Sequence, residues 1–336
     1  MSEESGPAHG IRPACALWLM VPPLAVFLLA ILLFSLVAFD IDLLTEHREG
    51  FAAAGSVNRF VETNARIGWL TSVLIFYTAF LGGGIYSLRV ICRYRRGRRK
   101  RVLVGAGLLT GVAVLVYLAY SGQVRNNFSF ICHFTLEILG ESGFYDRGEM
   151  GAIRGVVSVL NVLSGVVPVL GLMAMACAVQ RAEPSLNPGP VEELESQMGR
   201  LKTIIGVSSA IMVAGILHMV AWVRWPAAFA SSPEYAGQIS DFAERMGLYW
   251  GAAFSLIIAT FYVPSVYRLR ARAEATFRAG GEEVAGRDKD EWLKAHGLAM
   301  IPSQQIPAFF ALLAPLLAEP IGSSLAKLSG SPLMGG

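Results

Sequence analysis

IGWLTSVLIFYTAFLGGGIYSLRVICRYRRGRRKR, residues 67–101, joins an apolar run to a tail, RYRRGRRKR (93–101), in which seven of nine residues are cationic. Residues 67–88 contain no Asp, Glu, Lys or Arg. A helix needs about 20 predominantly apolar residues to cross roughly 30 Å of hydrocarbon. The stretch therefore predicts a transmembrane helix with a charged stop at one end.

The rest of the chain repeats that pattern. Of 336 residues, 54% are hydrophobic and 16% are charged, against about 25% charged in an ordinary soluble domain. The deficit falls in six runs free of Asp, Glu, Lys and Arg: 14–38, 67–88, 102–120, 155–179, 203–223 and 246–267. The fold class expected is an all-α integral membrane protein, a six-transmembrane-helix bundle. The first run follows a polar leader holding one cation, Arg12, which also suits a cleaved signal peptide. Its length and the lack of a prompt small-residue cleavage site favour a retained span. Cys15, Cys92, Cys132 and Cys177 have no C-x-x-C spacing, and they read as small buried apolar residues rather than a disulfide framework.

Short loops rich in Lys and Arg stay in the cytoplasm. Arg89, Arg93, Arg95, Arg96, Arg98, Arg99, Lys100 and Arg101 occupy one loop without an acid, which places it inside. The loops at 39–66, 121–153 and 226–245 then fall outside, and each has more acids than bases. Arg268, Arg270, Arg272 and Arg278 follow the last run, as a cytoplasmic exit requires. This gives a multi-pass inner-membrane topology with both termini cytoplasmic. The domains expected are a leader over 1–13, the six-span domain over 14–267 and a cytoplasmic tail over 268–336.

Beyond topology, the cluster Arg93, Arg95, Arg96, Arg98, Arg99, Lys100 and Arg101 is a candidate anionic-ligand site. Each such cation near an anionic leaflet contributes about 1 kcal/mol, and the same density suits the phosphates of a nucleotide or oligonucleotide. Tyr94 is the only aromatic among them, which weakens a single-strand stacking reading.

Local signals order the loops. Ser232-Pro233-Glu234 reads as a capped helix start, and Ser56 before Val57, Phe60 and Val61 reads similarly. Pro190 opens PVEELESQMGRLK, whose acids Glu192, Glu193 and Glu195 precede Arg200 and Lys202, an order that complements a helix dipole. In the tail, Ile306, Phe310, Leu313, Leu317, Ile321, Leu325 and Leu328 recur at helical intervals, broken by Pro307, Pro315 and Pro320. That pattern predicts an amphipathic surface helix, a re-entrant helix or an oligomer contact rather than a seventh span.

Chemistry is sparse. P-loop, H-E-x-x-H, G-x-S-x-G and EF-hand patterns are missing. Of His9, His47, His133, His218 and His296, only His218 sits at membrane depth, so a two-histidine haem site is not expected. Ser164 has no histidine or acid that sequence assigns to it as a catalytic partner. No catalytic residue, cofactor or metal is expected. The spans also lack the buried Asp, Glu or Lys on which coupled transporters commonly rely. Their polar set is Asn161, Ser164 and Pro168 on one face of span four, Ser208, Ser209 and His218 in span five, and Ser255, Thr260 and Pro264 in span six. Interhelical hydrogen bonding explains each singly. Together Asn161, Ser164, Pro168, His218, Thr260 and Pro264 are candidate pore-lining or gating residues, since a pore can also gate by dewetting. Gly82, Gly83 and Gly84 allow close packing or a hinge beside the cationic loop.

DEWLKAHGLAMIPSQQIPAFFALLAPLLAEPIG (290–322) and LYWGAAFSLIIATFYVPSVYRLR (248–270) together resemble the polytopic, pore-forming membrane effectors of bacterial anti-phage systems. The likeness covers a sixth of the chain and carries no motif that assigns a residue. It implies an oligomeric channel regulated from the cytoplasm by a nucleotide or oligonucleotide that a partner enzyme makes. The partners expected are thus anionic phospholipids, further copies of the chain and such a ligand. The rival expectation is a non-conducting scaffold or small-solute transporter whose cluster only sets topology and binds lipid.

Overall fold

The computed structural model describes residues 18–36, 51, 57–93, 105, 107, 127–179, 189–280, 286–299, 308–318 and 320. Of 35, 127–133, 162 and 164–169 it describes the backbone alone. These residues are overwhelmingly helical, with one antiparallel bridge, Phe51 to Ala230. In chain order the helices are α1 (Val21–Leu36), α2 (Arg59–Cys92), α3 (Asn127–Glu141), α4 (Arg147–Ala178), α5 (Pro190–Arg224), α6 (Pro233–Ala279), α7 (Lys289–Ala295) and α8 (Ala308–Ala318).

Caps explain most of the starts. Ser232 accepts from the Tyr235 amide at 3.2 Å, with Pro233 at the first helical position, as predicted. Pro190 opens α5, and Glu192 reaches back to the Gly189 amide at 3.3 Å. The Asp146 and Glu149 capping box starts α4. The cap of α2 is Asn58 rather than Ser56: its side-chain oxygen accepts from the amides of Phe60 and Val61 at 3.0 and 3.3 Å.

Among the described residues three helical segments are long and apolar enough to cross a membrane: Arg59–Cys92, Pro190–Phe229 (α5 with the 3-10 turn that follows it) and Pro233–Ala279. They contain the predicted second, fifth and sixth spans. The predicted first span appears as a shorter apolar helix, Trp18–Phe34. The fourth predicted span lies within α4, and the third, at 102–120, lies outside the described residues but for 105 and 107. On α2, Leu74 and Ile85 are 68% and 67% exposed. A row of large side chains turned outward in this way suits hydrocarbon rather than water.

Helix α5 is central, packed against α2, α4 and α6, while α1 lies on α6. Two core clusters mark the ends of the bundle. One, here the basic pole, gathers Val90, Ile91, Met198, Leu201, Leu269 and Trp292 below the end of α2 that carries Arg89 and Arg93. The other, the tryptophan pole, gathers Trp69, Trp222, Trp225 and Trp250. Helices α1 and α5 run toward the tryptophan pole, and α2, α4 and α6 run toward the basic pole. Helix α8 also runs between them, from Ala308 in the basic-pole cluster to Ala318 in the other.

The large-residue stripe of α8 is not its packing face. Phe310 and Leu317 point outward, whereas Ala308, Pro315 and Ala318 are buried. A β-carbon on Gly251 of α6 would lie 2.6 Å from the Pro315 carbonyl oxygen, so the two backbones touch there. Small residues let helices approach in lipid, while large apolar ones gain nothing from avoiding it. Gly83 shows the same rule. A β-carbon there would fall 3.0 Å from Val207 Cγ1, and α2 runs unbroken through Gly82, Gly83 and Gly84. Packing accounts for Gly83, while nothing lies within 4 Å of where a β-carbon on Gly82 or Gly84 would stand.

Candidate functional site

At the basic pole α2 ends with Arg89 in its last turn and Arg93 as its cap, both exposed. Cations there complement the negative end of the helix dipole. Arg95, Arg96, Arg98, Arg99, Lys100 and Arg101 lie outside the described residues. At the same pole α5 and α6 overshoot the apolar layer and join through polar groups. The buried Gln197 amide donates to Glu193 at 3.0 Å, and Arg272 donates to the Gln197 oxygen at 2.9 Å. His296 meets Glu195 at 2.6 Å, and its ring lies 4.6 Å from that of Trp292, which fastens the α7 segment under α5. Two guanidinium nitrogens of Arg200, in the same stretch of α5, are shielded from solvent without a hydrogen-bond partner among the described residues. A guanidinium nitrogen shielded without a partner is costly.

At mid-depth His218 and Thr260, predicted as pore residues, have partners close at hand. The His218 ring nitrogen lies 3.4 Å from the Ser72 hydroxyl, between the rings of Trp69 and Phe76 at 6.3 and 6.0 Å. Thr260 turns its hydroxyl to the Ile257 carbonyl at 3.0 Å, in its own helix. Pro264 sits inside α6 and offers no N–H to the Thr260 carbonyl, and Ser265 next to it bonds the Phe261 carbonyl at 2.8 Å. Asn161 is exposed on α4, and the side chains of Ser164 and Pro168 lie outside the description. Also at this depth is α8. The Ser209 hydroxyl of α5 donates to the Ala311 carbonyl, and together with α2 these helices wall a groove of about 760 Å³.

The tryptophan pole holds a buried carboxylate that sequence reading passed over. Glu62 is fully shielded; the Tyr145 hydroxyl donates to it, and the Arg66 guanidinium lies 3.4 Å away and above the Tyr145 ring. Burial, and then the acceptor carboxylate, hold the Tyr145 phenol above its ordinary range. Around this group Trp69 stacks on Trp225 at 5.0 Å, and Trp222 closes the triangle at 5.4 and 5.9 Å. The indole N–H groups of Trp69 and Trp225 have no partner among the described residues.

No known family model, curated protein or solved structure matches the chain. Function must be argued from the site alone. Its parts are a cationic pole with a shielded guanidinium, a short helix inserted at mid-depth, and a dry aromatic pole. Such a set can bind an anion at one end, admit or exclude a path past α8, and stay rigid at the other end.

Proposed function

We propose that the chain is a subunit of an oligomeric, channel-type protein of a bacterial inner membrane. In this reading six spans place both termini in the cytoplasm, and a nucleotide or oligonucleotide on the cationic run at 93–101 opens or restrains the path. The anti-phage effector role implied by the resemblance fits this arrangement, with the ligand supplied by a partner enzyme. The observation that carries the proposal is α8. At 1.5 Å per residue it is about 16 Å long, half of what a span requires. It is nonetheless held between the poles by Gly251 and Ser209. Short helices at membrane depth are tolerated where they are buried in protein or line a cavity.

Two further observations support it. The described chain leaves at the basic pole at Arg93 and reappears at the tryptophan pole in α3, as a span at 102–120 requires. The shielded guanidinium of Arg200 offers an anion a second contact in the basic-pole stretch of α5.

The test is ion flux from liposomes that hold the purified protein, with and without short oligonucleotides and cyclic nucleotides. We expect one of these ligands to switch the flux, and neutralising Arg95, Arg96, Arg98 and Arg99 together to abolish the switching with orientation unchanged. Silence under every condition, from folded and inserted protein, replaces the channel with the non-conducting scaffold. Saturable uptake of a small solute without ion flux replaces it with a transporter, which a half-helix at mid-depth also suits.

A further inference from the structure

We propose that the groove between α2, α5 and α8 holds one acyl chain of an anionic phospholipid whose headgroup sits at Arg89 and Arg93. The inference rests on the reading above only in placing the basic pole at a headgroup layer. It is independent of conduction.

The chemistry of the walls selects hydrocarbon. Ile75, Ala210 and Ala314 present apolar surface, and the two hydroxyls present have already committed their protons. Thr78 donates to the Leu74 carbonyl at 2.8 Å and Ser209 donates to the Ala311 carbonyl. A polar ligand would lose its hydration there without recompense, and an alkyl chain loses nothing.

Helix geometry connects the groove to the charge. At 3.6 residues per turn Thr78, Gly82, Ile85 and Arg89 fall within a sector of about 60°, and Arg93 lies five turns beyond Ile75 on the same line. From Thr78 to Arg89 is about 16 Å along the axis, and one leaflet of hydrocarbon is about 15 Å deep. Between them Gly82 is exposed, with nothing within 4 Å of where its β-carbon would stand, so a shallow trough continues the groove toward the arginines. A chain that ends at Thr78 thus places its phosphate at Arg89 and Arg93.

Charge also decides between lipid and a second copy. A two-fold contact through this face would bring Arg89 and Arg93 of each subunit toward those of the other, and like charges so placed are repulsive. An anionic headgroup is attractive at the same place.

The full chain would be placed in nanodiscs of phosphatidylglycerol or phosphatidylcholine doped with a photoreactive acyl chain, and retained lipid counted by native mass spectrometry. We expect one lipid cross-linked through α2, α5 or α8, with a preference for phosphatidylglycerol on the order of tenfold from the two arginines. Ala210→Phe should cut retention several-fold. Gly82→Leu, which enters open space and leaves packing intact, should do the same if Ala210→Phe fails to fold. Leu256→Phe, on an exposed face of α6, should match the wild type. Arg89→Gln with Arg93→Gln should remove the headgroup preference and keep the chain. Undiminished retention in folded Ala210→Phe and Gly82→Leu overturns the proposal, and so does equal retention of the two lipids by the wild type. A dimer that Ala210→Phe dissociates, with no lipid held, overturns it in favour of a second copy. Because lipid is counted without any flux, a silent flux assay leaves this result standing, and the reverse holds too.

Discussion

The two poles of the bundle are ends of the same helices, each with an apolar core, yet the polar groups that brace them differ in burial. At the tryptophan pole the rings of Trp69, Trp222 and Trp225 pack together. The Glu62 carboxylate there is wholly shielded with Tyr145 and Arg66 as partners, and a partly exposed Arg224–Glu244 pair at 2.8 Å links α5 to α6. At the basic pole α5 and α6 are joined by Gln197, Glu193 and Arg272, and α7 is held by a His296–Glu195 pair whose side chains are 30% and 40% exposed. Aromatic packing in a dry core is lost all at once when a ring is removed, whereas water and salt replace exposed charge pairs cheaply. The difference makes the tryptophan pole the fixed end and the basic pole the adjustable one. A ligand that acts on this chain from the cationic side therefore meets the part that moves at least cost.

Trp225→Ala tests the fixed end. Trp225 is fully buried between Trp69, Trp222 and Tyr145. Its truncation should cost about 3–5 kcal/mol, read as a large drop in thermal midpoint in detergent or nanodiscs. A loss below 1 kcal/mol would mean that the two poles do not differ.

Tyr145→Phe sharpens the same point and adds a pH dependence. Removing the hydroxyl leaves the shielded Glu62 with a weaker donor set and should cost about 1–3 kcal/mol at neutral pH. The Tyr145 phenol is held above its ordinary range, so the folded chain keeps that proton where the unfolded chain releases it. Its contribution is complete below about pH 10, the unfolded value, and falls as pH rises above that. Wild type should therefore lose midpoint between pH 9 and pH 11 (roughly the range in which a free phenol titrates) more steeply than Tyr145→Phe. Parallel curves would show that the phenol does not titrate with folding.

Much of the helical frame was legible from local chemistry. Ser232-Pro233-Glu234 and Pro190 with its following acids are complete start signals within one turn, and both helices begin there. The site was less legible because its pairs are distant in sequence. Glu62 reads as an ordinary first-turn acid until Tyr145 is brought to it across the bundle. Gly251 reads as one glycine in an apolar run until Pro315 lands on it. The tail misleads for a different reason. Its conspicuous stripe of Phe310 and Leu317 obeys the rule for helices in water, and the side that packs is the alanine and proline side.

His296→Ala is the smallest change and tests the adjustable end most directly. The contact with Glu195 spans only 2.6 Å, but both side chains see solvent, so it contributes no more than about 1 kcal/mol. What holds α7 besides is apolar: Leu293 and Leu298 are fully buried, and Trp292 lies on Phe277 with ring centres 5.3 Å apart. Loss of the histidine should leave the thermal midpoint within a degree or two of the wild type. It should still raise the exchange rate of amides over 289–299, and high salt should raise it in the wild type toward the same level. A midpoint as sensitive as that of Trp225→Ala would erase the contrast between the poles. Exchange unaffected by both the substitution and salt would make the apolar contacts of Trp292 and Leu293 the whole attachment, and the basic pole as rigid as the other.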